Sequence, residues 1–227
     1  MKNKEALINF LICIVIPTVI LMKFSSPETL GPMKGFCVAL SFPIIYTLND
    51  LIKLRKWNFI ALIGLISILL TGGIGLLKMS PFVLALKEAI IPFIIAVVVL
   101  FSVKSKKSAL RYLFDQLLNV EKVELKLKKM NKENAYNQIC KVHTYYLAAS
   151  FFLSSFLNYI LARKIVISPG GTTGFAEELG KMTALSYFVI ALPSTIFLAI
   201  IFWRVISKLS QISEISVEDL LSSSIQK

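Results

Sequence analysis

Two side chains of opposite charge stand next to each other inside an otherwise apolar run. Lys87 and Glu88 interrupt the segment Phe82–Val103, whose other residues are almost all hydrophobic. A carboxylate in such surroundings can hold a proton or bind a cation, and an ammonium can bind an acidic group. The same two side chains can instead form hydrogen bonds that hold helices together. The sequence leaves both interpretations open.

Lys34 and Asn158 are the expected partners of this pair. Adjacent helical residues point about 100° apart, so we expect Glu88 to pair with Lys34, which lies at a matching depth in another apolar run. Lys87 is long enough to extend to the membrane surface. Asn158 belongs to a stripe of small and polar residues, which predicts that it faces other helices.

The elements that carry these residues are six apolar runs. The chain is 56% hydrophobic and only 17% charged, a composition with too few polar residues to cover a soluble domain of this size. Each run has about the 17–25 residues that cross a bilayer. We predict an all-α transmembrane bundle with six spans: Ala6–Met22, Leu30–Leu48, Asn58–Leu77, Phe82–Val103, Thr144–Ala162 and Met182–Ile206. The first run is longer than a signal peptide's apolar region and lacks a cleavage site, so we expect it to be retained.

Basic residues set the expected orientation. The chain carries 25 Lys and Arg against 13 Asp and Glu. In a six-span topology, 18 of these 25 basic residues fall on one side of the membrane and 5 on the other. By the positive-inside rule, both termini are expected in the cytoplasm. This distribution explains the positive charge by topology, and the six spans exclude a soluble nucleic-acid binder.

The longest polar stretch, residues 104–143, is predicted to be a basic cytoplasmic loop. Its amphipathic part places Leu110, Leu113, Phe114, Leu117 and Leu118 on one helical face. Such a segment can lie on the anionic head groups of the inner leaflet or contact a cytoplasmic protein. The alternative is a solvated connector whose charges only fix topology. The basic residues of this surface are Arg111, Lys122, Lys126, Lys128 and Lys129. The tail, residues 207–227, is expected to be short and mobile.

Helix packing is predicted from small residues in the third run. Gly64, Ser67, Thr71 and Gly75 recur every three or four residues, a spacing typical of close contacts between membrane helices. Internal prolines, including Pro17 and Pro43, predict kinks and a carbonyl without its helical partner.

Motifs of enzymes and of metal sites are missing from the sequence. The glycine-rich stretch Pro169–Gly180 lacks the Lys-Ser/Thr ending of a phosphate loop, and His143 is the one histidine. We therefore expect neither catalysis nor a metal or other cofactor, and we interpret the glycine-rich stretch as a loop before the last span.

Parts of the chain resemble a known family. The segment "LTGGIGLLKMSPFVLALKEAIIPFIIAVVVLFSVKSKKSALRYLF" resembles the third and fourth helices of bacterial intracellular septation protein A. "SFFLSSFLNYILARKIV" resembles that family's fifth helix, with Asn158 at its asparagine position. A broader group of six-helix membrane proteins shares "KEAIIP", "SPGGTTGFAEELGKMTALS" and "VIALPS". The long basic loop and the tail depart from septation protein A.

The resemblance implies a non-enzymatic inner-membrane scaffold that works with envelope or division proteins. On that hypothesis Lys34, Glu88 and Asn158 hold helices together, and homo-oligomerisation is left open. The alternative is a transporter or channel for a small solute, ion or lipid, built around Glu88 and Lys87. A water-filled cavity that reaches Glu88 favours transport, and a closed, dry bundle favours the scaffold.

Overall fold

The computed structural model describes residues 10–54, 59–118 and 120–221, and within these ranges all regular structure is helical. We number the helices along the chain as α1 Leu11–Lys23, α2 Gly31–Leu54, α3 Phe59–Leu76, α4 Pro81–Ser102, α5 Ala109–Leu117, α6 Val120–Lys129, α7 Ala135–Ile165, α8 Thr173–Ser213 and α9 Val217–Leu221. The first five residues of α1 and residues Tyr187–Ala191 of α8 form π-helical turns. The prediction of an all-α fold is confirmed.

Four helical segments are long and apolar enough to cross a membrane: Gly31–Asn49, Pro81–Ser102, Ala135–Ile165 and Thr173–Ser213. The described residues also contain two shorter apolar segments, Leu11–Lys23 and Ile66–Leu76. The chain therefore belongs to the class of multi-pass membrane proteins. Six spans and the orientation of the termini stay predictions, and the first and third predicted spans fall partly on residues 6–9 and 58, outside the described ranges.

The chain divides into two compact units. Unit 1 comprises Met1–Ile90 and Phe156–Ala191, and unit 2 comprises Ile91–Ser155 and Leu192–Lys227. Each unit has its own cluster of buried apolar side chains.

Unit 1 is held together by close contacts at small residues. α1 packs on α2 and on the first part of α8, and α2 packs on α3. An added Cβ at Gly75 of α3 would lie 2.5 Å from the Phe36 ring of α2, and one at Gly180 of α8 would lie 2.8 Å from Met22 of α1. Glycine lets these helices approach each other, as the small-residue spacing in α3 predicted.

The loop before α8 is fixed to the rest of unit 1. The Glu178 carboxylate accepts hydrogen bonds from the backbone N–H groups of Ile167 and Ser168, at 2.9 and 2.8 Å, and from the Ser168 hydroxyl. The Gly170 N–H donates to the Met79 carbonyl at 3.0 Å. A Cβ at Gly170 would lie 2.7 Å from the Ile74 carbonyl oxygen, so only glycine fits there.

Unit 2 folds much of the predicted basic loop into a packed structure. Ser108 begins α5 by accepting a hydrogen bond from the Arg111 N–H, and α6 follows α5 after a break near Leu118. Only part of the predicted apolar face of α5 is buried. Leu110, Phe114 and Leu118 are buried in the core of unit 2, and Leu113 and Leu117 remain exposed.

The burial of Leu110, Phe114 and Leu118 differs from the expectation that the apolar face of this segment lies on the membrane. The reason is that α6, α7 and the end of α8 supply enough apolar surface to cover them within the protein, through Val123, Leu127, Tyr136, Val205 and Leu209. The tail also differs from its prediction as far as residue 221. Ile215 and Leu220 are buried in the same core, so α9 is part of the fold.

Candidate functional site

A cavity of about 450 Å³ lies within unit 1. Its polar lining includes Lys87 and Glu88 of α4, Thr71 of α3 and Asn158 of α7, and the rest of the wall is largely apolar. Few convergent polar groups in a mostly apolar wall are typical of ligand sites. The remaining lining residues are Cys13, Ile14, Pro17, Thr18, Leu21, Leu40, Pro43, Thr47, Ser67, Ile68, Leu161, Leu179, Met182, Thr183 and Ser186.

Lys87 is the buried cation of this cavity, with only 8% of its side chain exposed. Its Nζ donates to Thr71 Oγ1 at 2.8 Å and to Glu88 Oε1 at 2.8 Å. Thr71 in turn donates to the Ser67 carbonyl oxygen at 3.0 Å, which fixes the hydroxyl as an acceptor for the ammonium. Because an unpaired buried ammonium is very costly, these two partners are what permit its burial.

This pairing differs from the sequence interpretation in two respects. Lys87 does not extend to the surface, and Glu88 pairs with Lys87 instead of Lys34, which is exposed. The Cβ vectors of adjacent helical residues diverge, but the lysine stem has four carbons and can curve back. The Thr71 hydroxyl holds the ammonium on the side where the Glu88 carboxylate also lies.

Glu88 and Thr18 retain polar atoms without a partner. Within the described part of the chain, Glu88 forms its hydrogen bond through Oε1, and Oε2 has none. The Thr18 hydroxyl oxygen is buried, and no described group hydrogen-bonds to it. Buried polar atoms are satisfied in most folded proteins, so the buried Thr18 hydroxyl without a partner, in the cavity that Glu88 also lines, indicates where a polar atom of a ligand fits.

Irregular helix contributes to the cavity wall. Cys13 and Ile14 lie in the π-helical turn of α1, and Ser186 directly precedes the π-helical turn of α8. The Phe10 ring, just before the first of these turns, packs edge to face on the ring of Tyr187 in the second, with 5.7 Å between the ring centres. Single π-helical turns occur frequently at functional sites because they redirect side chains.

The structure brings together three of the four predicted site residues. Lys87, Glu88 and Asn158 line one cavity, and Lys34 does not. Sequence reasoning missed Thr18 as a candidate. The signal that points to it was the internal prolines, since Pro17 and Pro43 both line the cavity.

A second charged cluster lies in unit 2, around Arg111. Its guanidinium stacks on the Tyr136 ring, 3.7 Å from carbon to ring centre, and donates to Asp115 at 2.8 Å and to Glu124. Lys107 donates to the other oxygen of Asp115 at 2.7 Å. This network links α5, α6 and α7 through one buried cation.

The same contacts shift two pKa values. Burial by itself would lower the pKa of Arg111, but its hydrogen bond to Asp115 and the attraction of that carboxylate raise the pKa above the ordinary value. Burial by itself would raise the pKa of Asp115, but the hydrogen bonds from Lys107 and Arg111 outweigh it and lower the pKa. Both groups are therefore charged at neutral pH.

The five basic residues predicted to contact the membrane or a partner differ in their surroundings. Arg111 is 7% exposed and fully engaged inside unit 2, so its guanidinium is not offered to head groups or partners. Lys122 pairs with Asp219 at 3.1 Å and Lys126 with Glu214 at 3.6 Å. Lys128 and Lys129 are exposed at the end of α6. We call Lys122, Lys126, Lys128 and Lys129 the basic face of α6.

Among the described residues, no three His, Cys, Asp or Glu side chains are grouped so that they could hold a metal ion. The polar groups that line the cavity of unit 1 are an ammonium, a carboxylate, hydroxyls and an amide. These groups can bind and orient a polar molecule by hydrogen bonds and charge.

Comparison with known proteins places the chain in no family. A scan against protein-family models, a search of curated proteins and a search of solved structures each returned no significant match. The likeness to septation protein A therefore stays an expectation from the sequence.

Proposed function

We propose that this chain is a bacterial inner-membrane transporter or channel component that binds a small solute in the cavity of unit 1. In this proposal six spans cross the membrane and both termini are cytoplasmic. The observation that carries it is the Lys87–Glu88 pair: the Lys87 side chain is only 8% exposed, and both residues line a cavity of about 450 Å³.

The energetics of a buried ion pair support a role in binding. Replacing such a pair by apolar residues of similar volume is often neutral or even stabilising, so helix packing alone gives little reason to keep it. Ionisable residues inside membrane segments commonly mark solute or ion pathways. The unpartnered Thr18 hydroxyl in the same cavity adds a third polar contact for a solute.

Chemical labelling of Cys13 tests whether this cavity is reached from water. Cys13 lines the cavity and Cys140 is fully buried in unit 2, and neither forms a disulfide. In a Cys37→Ser background in nanodiscs, a charged methanethiosulfonate reagent is expected to modify Cys13 at least about tenfold faster than Cys140. Equal, slow modification of both thiols would contradict a solute-accessible cavity.

The second candidate is the scaffold in envelope maintenance or division that the family resemblance implies. The observation that favours it is the basic face of α6, because the opposite side of this helix is packed into the core of unit 2. Anionic head groups or acidic cytoplasmic proteins are the partners that such a face fits.

Complementation of a deletion strain separates the two candidates. Glu88→Gln keeps the shape of the side chain and removes the charge of the cavity, and Lys128→Gln with Lys129→Gln changes only the basic face. Loss of function in the first variant at normal membrane level supports transport. Loss in the second variant alone supports the scaffold and contradicts the transport proposal.

A further inference from the structure

Lys87 and Glu88 balance each other's charge in the cavity of unit 1, but each keeps a hydrogen-bonding position that the other described residues do not fill. The Lys87 ammonium has three N–H donors, of which Thr71 and Glu88 take two. Glu88 accepts from Lys87 through one oxygen, and no described group donates to the other. The cavity therefore presents one charged donor and one charged acceptor side by side.

This arrangement discriminates between ligands by which charged groups they carry. A ligand with a single charge would satisfy one of the two groups and add an uncompensated charge to a site of low dielectric constant, which is costly. A neutral ligand would supply no charge to either. A ligand with an ammonium and an acid group close together satisfies both and leaves the site neutral.

The walls add an apolar requirement. Ile14, Leu21, Leu40, Ile68 and Leu161 line the cavity beside the charged pair. Apolar surface of a ligand would be removed from water against them, at roughly 25 cal/mol per Å². The Thr18 hydroxyl can both donate and accept, so it fits either end of a dipolar group.

We infer that the cavity binds a zwitterion in which an ammonium and a carboxylate or phosphate lie a few bonds apart and are joined to an apolar part. The ammonium contacts Glu88 Oε2 and the acid group contacts Lys87 Nζ. Two sources share this chemistry, an apolar α-amino acid and an aminoethyl phosphate lipid head group. The inference rests on the proposed function, because it names the ligand of the same cavity.

Calorimetry with charge-deleted analogues tests the inference. The full chain in phosphatidylglycerol nanodiscs is titrated with L-leucine, with 4-methylpentanoate, which lacks the ammonium, and with 3-methylbutylamine, which lacks the carboxylate. L-leucine is expected to bind at least about tenfold more tightly than either analogue. Glu88→Gln is expected to weaken L-leucine by about tenfold or more, and the matched carboxylate change Glu177→Gln, outside the cavity, to leave it unchanged.

A second set of nanodiscs contains phosphatidylethanolamine and identifies the source. If the lipid is the ligand, it co-purifies with the wild-type chain, is lost in Glu88→Gln, and suppresses any binding of L-leucine. If the free amino acid is the ligand, its affinity is the same in both lipids.

Three results would overturn the inference: an analogue with one charge binds as well as L-leucine, Glu88→Gln has no effect, or neither zwitterion binds. Each of these leaves the proposed function standing as long as Cys13 is labelled from water. An unlabelled Cys13 would count against the cavity itself.

Discussion

Replacing Gly75 by alanine tests the contact between α3 and α2 directly. The new Cβ would lie 2.5 and 2.6 Å from two carbons of the Phe36 ring, where ordinary contacts begin near 3.4 Å. Phe36 is 3% exposed, and its ring centre is 5.9 Å from that of Phe175. The ring must therefore move by roughly 1 Å into a space that is already filled.

The expected loss of stability follows from two opposing effects. Overpacking of a close-packed interior costs about 1–3 kcal/mol. Alanine in place of a helical glycine gains about 0.5–1 kcal/mol. Gly75→Ala should therefore lower the free energy of unfolding by about 1–2 kcal/mol. Gly73→Ala is the matched control, because its Cβ would meet no atom within 4 Å and only the helical gain applies.

Reversible unfolding in mixed micelles, followed by circular dichroism, measures both variants. Gly73→Ala is expected to equal or exceed the wild type, and Gly75→Ala to fall below it. Adding Phe36→Leu to Gly75→Ala should recover about 1 kcal/mol relative to the sum of the single changes. Equal stability of the two glycine variants, or additive behaviour of the double variant, would refute the packing argument.

Two further predictions concern carboxylates. Asp115→Asn is expected to cost about 2 kcal/mol of stability at pH 7, because it removes a carboxylate that accepts hydrogen bonds from Arg111 and Lys107. The pKa of Asp115 in the folded protein lies below its ordinary value, so the carboxylate stabilises the fold fully above the unfolded-state pKa of about 3.9. This stabilisation is lost as the pH falls through the folded-state pKa. When stability is measured against pH, the variant should therefore depend less on acid pH than the wild type. Glu178→Gln keeps one acceptor oxygen but loses the charge, so amide hydrogen exchange at Ile167 and Ser168 should rise by about tenfold, and an unchanged rate would contradict the assigned role of Glu178.

The sequence predicted much of this fold because apolar runs of membrane length have few alternatives to helix. It also pointed to Lys87, Glu88 and Asn158, because charged and amide groups in apolar runs need partners, and the structure places these three residues around one cavity. It did not predict the pairing of Lys87 with Glu88. That contact depends on how a long stem bends towards the Thr71 hydroxyl, which no periodicity encodes.

The burial of Arg111 was missed for a related reason. A basic residue in a polar stretch is usually interpreted as a surface charge. Asp115 lies one turn away on the same helix, but only the tertiary structure places Tyr136 and Glu124 around Arg111. The inclusion of α9 in the same buried core as α5 likewise depends on contacts between segments far apart in sequence.

The glycine-rich loop before α8 has a practical consequence for topology mapping. Its sequence, Ser168–Thr172, looks like the natural place to insert an epitope or a protease site. Yet the hydrogen bonds of Glu178 and the close approach of Gly170 to Ile74 leave no room for added residues. The exposed turn at Lys132–Asn134 is the better location in the described chain. A tag there would report the side of the membrane on which the basic face lies while leaving the cavity of unit 1 intact.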